Sequence, residues 1–320
     1  MLRKLATLFL ILGILCGVPF TTSAVNAEAV KIALIDTGID LDKQLLNRER
    51  ILDGTNYIFP GSTCDDLVGH GTRVASIILG TTDGTIPGSA PEAVLVPLVF
   101  LSKYPSGVVN NGGVATICTA IYDAIDLWDC RIISLSLGVT ASDPALEKAI
   151  SYAEEKNVIV ISAVGNDNLI APNHVYYPAA YASVVGVGVA DGLGAADFSQ
   201  RGESVMVLAG SRDETVLSIK NWPDYETVSG SSYTTAYVTG LAATLLAQWP
   251  DLTPEDFRQI LRHSCKKMGN AGYDTDTGWG VLDTEYAKGM GLLAHLLTKV
   301  AGRVKGTGLL THLLIPCHLY

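Results

Sequence analysis

The sequence has 320 residues, 48% hydrophobic and 17% charged, with a formal net charge of −10 at pH 7. High hydrophobicity with sparse charge excludes a largely disordered chain, and the acidic balance argues against nucleic-acid binding. A single large α/β domain accommodates this length and apolar content.

The first stretch reads as an export signal over residues 1–27. Arg3 and Lys4 precede the apolar run Leu5 to Phe20, and Val25-Asn26-Ala27 offers a small-residue cleavage site before Glu28. The run is short for a spanning helix, so secretion is expected over a signal-anchored membrane form. Leu15 ahead of Cys16 is too bulky for a lipid-attachment cysteine. Removal of residues 1–27 takes away two basic and no acidic residues, moving the charge from −10 to −12. Cys64, Cys118, Cys130, Cys265 and Cys317 remain. Their odd number leaves one thiol over, and no CxxC metal or redox spacing occurs.

From residue 30 onward, short apolar runs alternate with helical patterns. Val30 to Ile35 is a buried-strand run ending at Asp36, and Val74 to Leu79 has helical spacing. Val94 to Leu101 reads as strand, followed by a Gly-rich loop through Gly113. Ala115 to Trp128 reads as helix and Arg131 to Leu137 as strand. Asp143-Pro144 gives a helix-start signal before Ala145 to Lys156. Val158 to Val164 and Ser183 to Val189 are further strands, and Thr234 to Gln248 is a long helix. The strand runs are continuously apolar, as parallel strands covered on both faces require. The rhythm predicts a doubly wound α/β fold with a mainly parallel central sheet and helices on both faces. In such a sheet the functional loops lie at the carboxyl ends of the strands, where Asp36, Gly138 and Gly165-Asn166 fall.

Three segments hold the parts of a nucleophilic acyl-transfer centre, which needs a hydroxyl, a base and an acid orienting the base. Asp36-Thr37-Gly38 caps a buried strand. Gly69-His70-Gly71-Thr72 opens a helical stretch, and Gly230-Ser231-Ser232 leads into a helix whose amide dipoles favour developing negative charge. Singly, each has a plain alternative as turn former, loop residue or N-cap.

Together, Ile35-Asp36-Thr37-Gly38-Ile39-Asp40, Gly69 to Ala75 and Gly230 to Gly240 resemble the three signatures of the subtilisin-like serine proteases (subtilases, peptidase S8 type). The order Asp, His, Ser is the one subtilisin exemplifies. The resemblance covers roughly residues 30 to 290, within a catalytic domain expected over 28–290. It implies Ser232 as nucleophile, His70 as general base and Asp36 as the orienting carboxylate. Ala163-Val164-Gly165-Asn166 resembles the segment whose asparagine donates to the oxyanion, an interaction worth about 3–4 kcal/mol in the transition state. Ser136-Leu137-Gly138 resembles the strand that pairs with an extended polypeptide substrate. Ala163, Val164 and Gly165 are expected to form the opposite pocket wall. Tyr176, in Val175-Tyr176-Tyr177-Pro178, stands where the family has a small residue at the pocket base, which implies a shallow pocket for small side chains; the alternative is a tyrosine packed in the core.

Several positions depart from the pattern. Ala236 and Tyr237 stand where the family has proline and histidine, Thr234 and Thr235 replace smaller residues, and Arg73 replaces a common histidine. A structural calcium ion is a frequent family cofactor, but the loop Gly80 to Gly88 is short and carries only Asp83 as an acid, so the usual site is not expected. The first strand begins within a few residues of the signal cleavage site, leaving no room between them for an inhibitory propeptide. The expectation is therefore folding unaided, folding assisted by a separate chain, or an inactive relative. Beyond Gly289 the chain is apolar and basic. Leu292, Leu293, Leu296, Leu297 and Val300 have helical spacing, so residues 291–320 offer a peripheral membrane or partner contact, a helix packed on the domain, or a loose tail.

The resemblance implies a secreted serine endopeptidase acting through an acyl-enzyme. The alternative is a catalytically weak pseudoprotease that binds peptides or a partner protease. A lipase or esterase is disfavoured because no Gly-x-Ser-x-Gly elbow surrounds Ser232.

Overall fold

A computed structural model describes residues 29–290 except 173, 211, 220–223 and 268–271. The expected signal segment, residues 1–27, and the tail, residues 291–320, lie outside the described residues. Strand β1 (Lys31–Asp36) is buried from its second residue on, and its side chains alternate between two apolar layers. Ile32 and Leu34 pack on one side, Ala33 and Ile35 on the other. Burial on both faces explains the unbroken apolar run.

The main sheet runs β2 (Thr55–Asn56), β3 (Val94–Val99), β1, β6 (Ile132–Leu135), β7 (Ile159–Ala163), β8 (Val185–Asp191), β10 (Val207–Ala209), β14 (Val281–Leu282), β13 (Cys265–Lys266). Neighbours pair in parallel from β2 to β14, and only β13 joins antiparallel along this path. The short β9 (Gly194–Ala195) pairs antiparallel with the end of β8. The expected mainly parallel sheet is present.

Helices cover both faces. On one lie α1 (His70–Leu79), the central α4 (Ser231–Gln248) and α5 (Pro254–His263); on the other lie α2 (Gly113–Asp126) and α3 (Pro144–Glu155). The start of α3 follows its local sequence. Asp143 accepts hydrogen bonds from the Ala145 and Leu146 amides, and Pro144 sits in the first turn. Most of α4 is buried, including Val238, Leu241, Leu245 and Leu246. Each such aliphatic side chain contributes about 1.5–3 kcal/mol through burial.

One expected element differs. The run Val94 to Leu101 breaks at Phe100, whose amide donates to the Asp36 carbonyl. Beyond it, β4 (Leu101–Lys103) and β5 (Val109–Asn111) form an antiparallel hairpin instead of a Gly-rich loop. Tyr104 and Gly107 close its turn, with the Gly107 amide donating to the Tyr104 carbonyl.

Cys64, Cys118, Cys130 and Cys265 are free thiols. Burial pushes the Cys64, Cys130 and Cys265 thiols up to about 12, which keeps them protonated and unreactive. Cys317 lies outside the described residues. Among those residues, no helix is long and apolar enough to cross a membrane.

Candidate active site

Parallel strands release their carboxyl ends on one side of the sheet. Asp36 therefore emerges beside the residues that follow β6 and β7. The Asp36 carboxylate is buried, and its Oδ1 accepts from the Thr37 amide at 2.8 Å and meets His70 Nδ1 at 2.7 Å. The imidazole is thus held in the orientation that leaves Nε2 for another partner. Burial opposes the imidazolium, but the charge and hydrogen bond of Asp36 outweigh it and raise the His70 pKa above the ordinary 6.5.

A residue the motif reading passed over, Asp66, explains why this pair is so well placed. Its buried carboxylate accepts from the Thr37 hydroxyl (2.9 Å), the Val68, Gly69 and Thr72 amides (2.9, 2.7 and 2.9 Å) and the Thr72 hydroxyl (2.7 Å). Thr37 Oγ1 in turn accepts from the Gly71 amide, and Thr72 Oγ1 from the Asp40 amide. One carboxylate thereby clamps the end of β1 to the start of α1. Gly71 completes the joint, because a Cβ there would stand 2.1 Å from the Gly38 carbonyl oxygen. The signal in the sequence was an acid four residues before His70.

Ser232 lies in the first turn of α4. Its Oγ donates to the Ser136 carbonyl at 3.4 Å rather than to His70, and Ser136 Oγ donates to the Ser232 carbonyl at 3.1 Å. Ser231 ties the helix start to the β7 loop. Its amide donates to Asn166 Oδ1 at 2.7 Å, and its hydroxyl accepts from the Gly165 amide at 3.2 Å. With Oδ1 engaged, Asn166 Nδ2 carries the donor hydrogens of that side chain. The substituted threonines also act here. Thr234 and Thr235 both donate to the Ser231 carbonyl, and Thr234 also to Gly188. Tyr237 reaches Glu214 at 2.8 Å.

Two adjoining clefts share Ser136, Leu137 and Gly138. One, of about 460 Å³, is lined by Asp36, His70, Leu101, Asn111 and Ile117 among others. The second, of about 300 Å³, brings together Ala163, Gly165, Asn166, Asp167, Tyr176 and Ser232. Asp36 and His70 are hydrogen-bonded to each other; Ser232 and Asn166 share the neighbouring cleft. Val164 requires a correction: it is fully buried in a small core cluster with Val205 and Leu208, so its side chain faces away from the pocket. Alternation along the end of β7 turns Ala163 and Val164 to opposite faces.

The Tyr176 ring lies between the two walls. A Cβ on Gly138 would meet it at 3.0 Å and one on Gly165 at 2.7 Å. Its hydroxyl donates to Asp167 Oδ2 at 2.8 Å, and the His174 ring nitrogen lies 3.1 Å from the same oxygen. Desolvation pushes the Asp167 carboxyl up, but these two hydrogen bonds outweigh it and hold it below the usual range. Leu137 sits partly buried above α2 and α3, and its neighbour Val139 exchanges two 2.9 Å backbone hydrogen bonds with Tyr177.

The loop expected to lack a calcium site has its acid engaged. Asp83 accepts from the Tyr225 and Thr81 hydroxyls and the Thr85 amide, and among the described residues no group of three or more His, Cys, Asp or Glu is placed to hold a metal.

A model of the Subtilase family matches residues 27–280. The chain is 30% identical over 266 residues to subtilisin DY of Bacillus licheniformis, covering 81% of this chain and 90% of that protein. It is 32% identical to the minor extracellular protease Epr of Bacillus subtilis (strain 168) over 81% of this chain, but spans only 38% of that longer protein. Likewise it spans 40% of fervidolysin from Fervidobacterium pennivorans, at 29% identity over 80% of this chain. The crystal structure of fervidolysin superposes with a TM-score of 0.69 at 26% identity, covering 81% of this chain and 42% of that one. A lanthipeptide protease structure shares the fold, with a TM-score of 0.69 over 82% of this chain and 87% of that one at 24% identity. The family model spans nearly the whole described region, and the chain belongs to the subtilase family.

Proposed function

We propose that the protein is a secreted serine endopeptidase that cleaves extended polypeptide through an acyl-enzyme. The observation that carries this reading is the 2.7 Å Asp36–His70 hydrogen bond at the edge of a cleft that continues into the one holding Ser232 and Asn166. In this reading His70 Nε2 takes the Ser232 proton as Oγ attacks the scissile carbonyl, and Asp36 stabilises the imidazolium that forms. The Ser232 amide and Asn166 Nδ2 stabilise the oxyanion. His70 then gives its proton to the leaving amine, and water repeats the sequence to release the acyl group. Rotation about Cα–Cβ of Ser232 moves Oγ from the Ser136 carbonyl toward the base, freeing that carbonyl for a substrate amide. The Ser136–Gly138 segment and Leu101 and Asn111 of the β4–β5 hairpin line the same cleft, an arrangement suited to an extended chain. The name of the extracellular relative Epr and the N-terminal export pattern support secretion.

The resting contact of Ser232 with Ser136 favours a second reading, a peptide-binding relative of low activity. Labelling of the folded protein with a fluorophosphonate separates the two. Labelling abolished by Ser232→Ala supports the enzyme, and absence of Ser232-dependent labelling supports the binding protein.

Two further outcomes follow. A base that must be neutral, with its pKa raised above 6.5, loses activity as pH falls through that raised value. The acid limb of kcat/KM is therefore expected above pH 6.5, and a limb below it in a pH–rate profile would show that Asp36 does not hold the His70 pKa up. Second, the Tyr176 ring shortens the pocket between Gly138 and Gly165. Cleavage of a peptide library is expected to favour Ala and Ser before the scissile bond, with Tyr176→Gly shifting preference toward Phe and Leu by about 10–100-fold, the range for a few methylenes in a pocket. Equal cleavage after small and aromatic residues by the unsubstituted enzyme would sink this assignment.

A further inference from the structure

Arg73 stands one turn after His70 on α1, so the two side chains share a face of the helix. Its guanidinium Nε bonds Glu226 Oε1 at 2.8 Å across to strand β12 (Tyr225–Val228), with both side chains only partly exposed. The almost fully buried Tyr233, next to the nucleophile on α4, lays its ring against the imidazole with centroids 5.8 Å apart and planes tilted by 38°. Its phenol is electrostatically coupled to Arg73, Asp36 and Glu226. The hairpin carrying Glu226 is fixed to the same helix, because the Leu217 amide of β11 (Glu214–Leu217) donates to Ser76 Oγ at 3.0 Å.

We propose that Arg73 and Glu226 form a charge-balanced pair which, with the Tyr233 ring, positions His70 and sets its protonation; the proposal rests on His70 being the general base. Among the described residues, the charged or titratable groups around His70 are Asp36 from β1, Asp66 from the loop before α1, Arg73 from α1 itself, Tyr233 from α4, and Glu226 beyond Arg73. Asp36 and Asp66 favour the imidazolium, whereas Arg73 opposes it. Glu226 limits that opposition by neutralising Arg73. The pair therefore allows a cation to stand beside the base without driving the base fully neutral, and the Tyr233 ring fills the space that would otherwise let the imidazole rotate off Asp36. Arg73, Glu226 and Tyr233 are positioning residues; none needs to touch substrate.

The test is an NMR titration of His70 in the full chain carrying Ser232→Ala, which removes self-cleavage and makes the readout independent of turnover. Arg73→Gln is expected to raise the His70 pKa and Glu226→Gln to lower it, each by about half a unit, a roughly threefold change in protonation constant. The double substitution is expected to return it close to the parent, and Arg73→Lys to preserve it. Tyr233→Phe should keep the low-field proton signal of the Asp36–His70 hydrogen bond, and Tyr233→Leu should weaken it. Shifts of the same sign, or none, would overturn the proposal even in an active enzyme. Absence of Ser232-dependent labelling alongside opposite shifts would instead overturn the enzymatic reading and leave the electrostatic pair standing.

Discussion

Ser232→Ala is expected to lower kcat by about 10⁶-fold while leaving KM within a few-fold, measured on a peptide cleaved by the unsubstituted protein. Subtilisin is itself the reference case for that magnitude, since loss of either its nucleophile or its base costs about 10⁶ in kcat. Such a loss corresponds to about 8 kcal/mol of transition-state stabilisation. The reason is chemical rather than structural. Without Oγ no acyl-enzyme forms, yet Ser231 still holds Asn166 and the helix start in place. Residual catalysis of about 10³–10⁴ over water should survive through the oxyanion donors and substrate alignment. His70→Ala is expected to cost as much as Ser232→Ala, and the double variant no more than either, because the hydroxyl and imidazole act as one unit. Additive losses would mean that the two groups work independently, contrary to the proposed mechanism.

The largest effect on stability is expected at Asp66. Its carboxylate accepts five hydrogen bonds while buried, three of them from backbone amides. In Asp66→Ala the two threonine hydroxyls can rotate to other acceptors, but the amides of Val68, Gly69 and Thr72 cannot. A buried donor left unpaired costs about 1–3 kcal/mol, and a broken buried polar network about 3–5 kcal/mol in total. Asp66→Ala should therefore lose about 4 kcal/mol, a large part of the margin that keeps a domain folded, and lower Tm by about 10 °C. Asp66→Asn retains the shape and one acceptor oxygen, so its loss should be smaller. Because the same carboxylate joins the Asp36 loop to the His70 helix, kcat should fall in both variants at temperatures where they are fully folded. Calorimetry combined with kinetics checks both statements, and an Asp66→Ala variant of unchanged Tm would show that the clamp carries no net stability.

Much of the fold was legible because it is decided by local chemistry. The apolar run ending at Asp36 could only be a doubly covered strand, and Asp143-Pro144 could only begin a helix well. The Asp36 and His70 motifs were legible for a related reason: Thr37, Gly71 and Thr72 are tied to one another through Asp66, so a recognisable run of residues is the sequence trace of one hydrogen-bonded joint. The β4–β5 hairpin was hidden because Leu101 continues the apolar run of β3 without a break in composition. Val164 was misplaced because a motif names consecutive residues, whereas a strand end sends them to opposite faces. The hydroxyl contact of Tyr176 with Asp167 was not legible in the sequence. Arg73–Glu226 and Tyr233–His70 were beyond reach, since each joins segments separated by about half of the chain.

The central place of β1 has a bearing on self-preservation. Its neighbours β3 and β6 both come later in the chain, and the helix bearing Ser232 comes later still. The reacting groups therefore meet only after long-range crossovers have closed, contacts that form late and slowly in folding. A growing or loosened chain presents extended, cleavable segments at the very stage when it has no assembled hydrolytic centre. In the proposed protease, the event that creates cutting power also withdraws the strands of the chain's own core from cleavage.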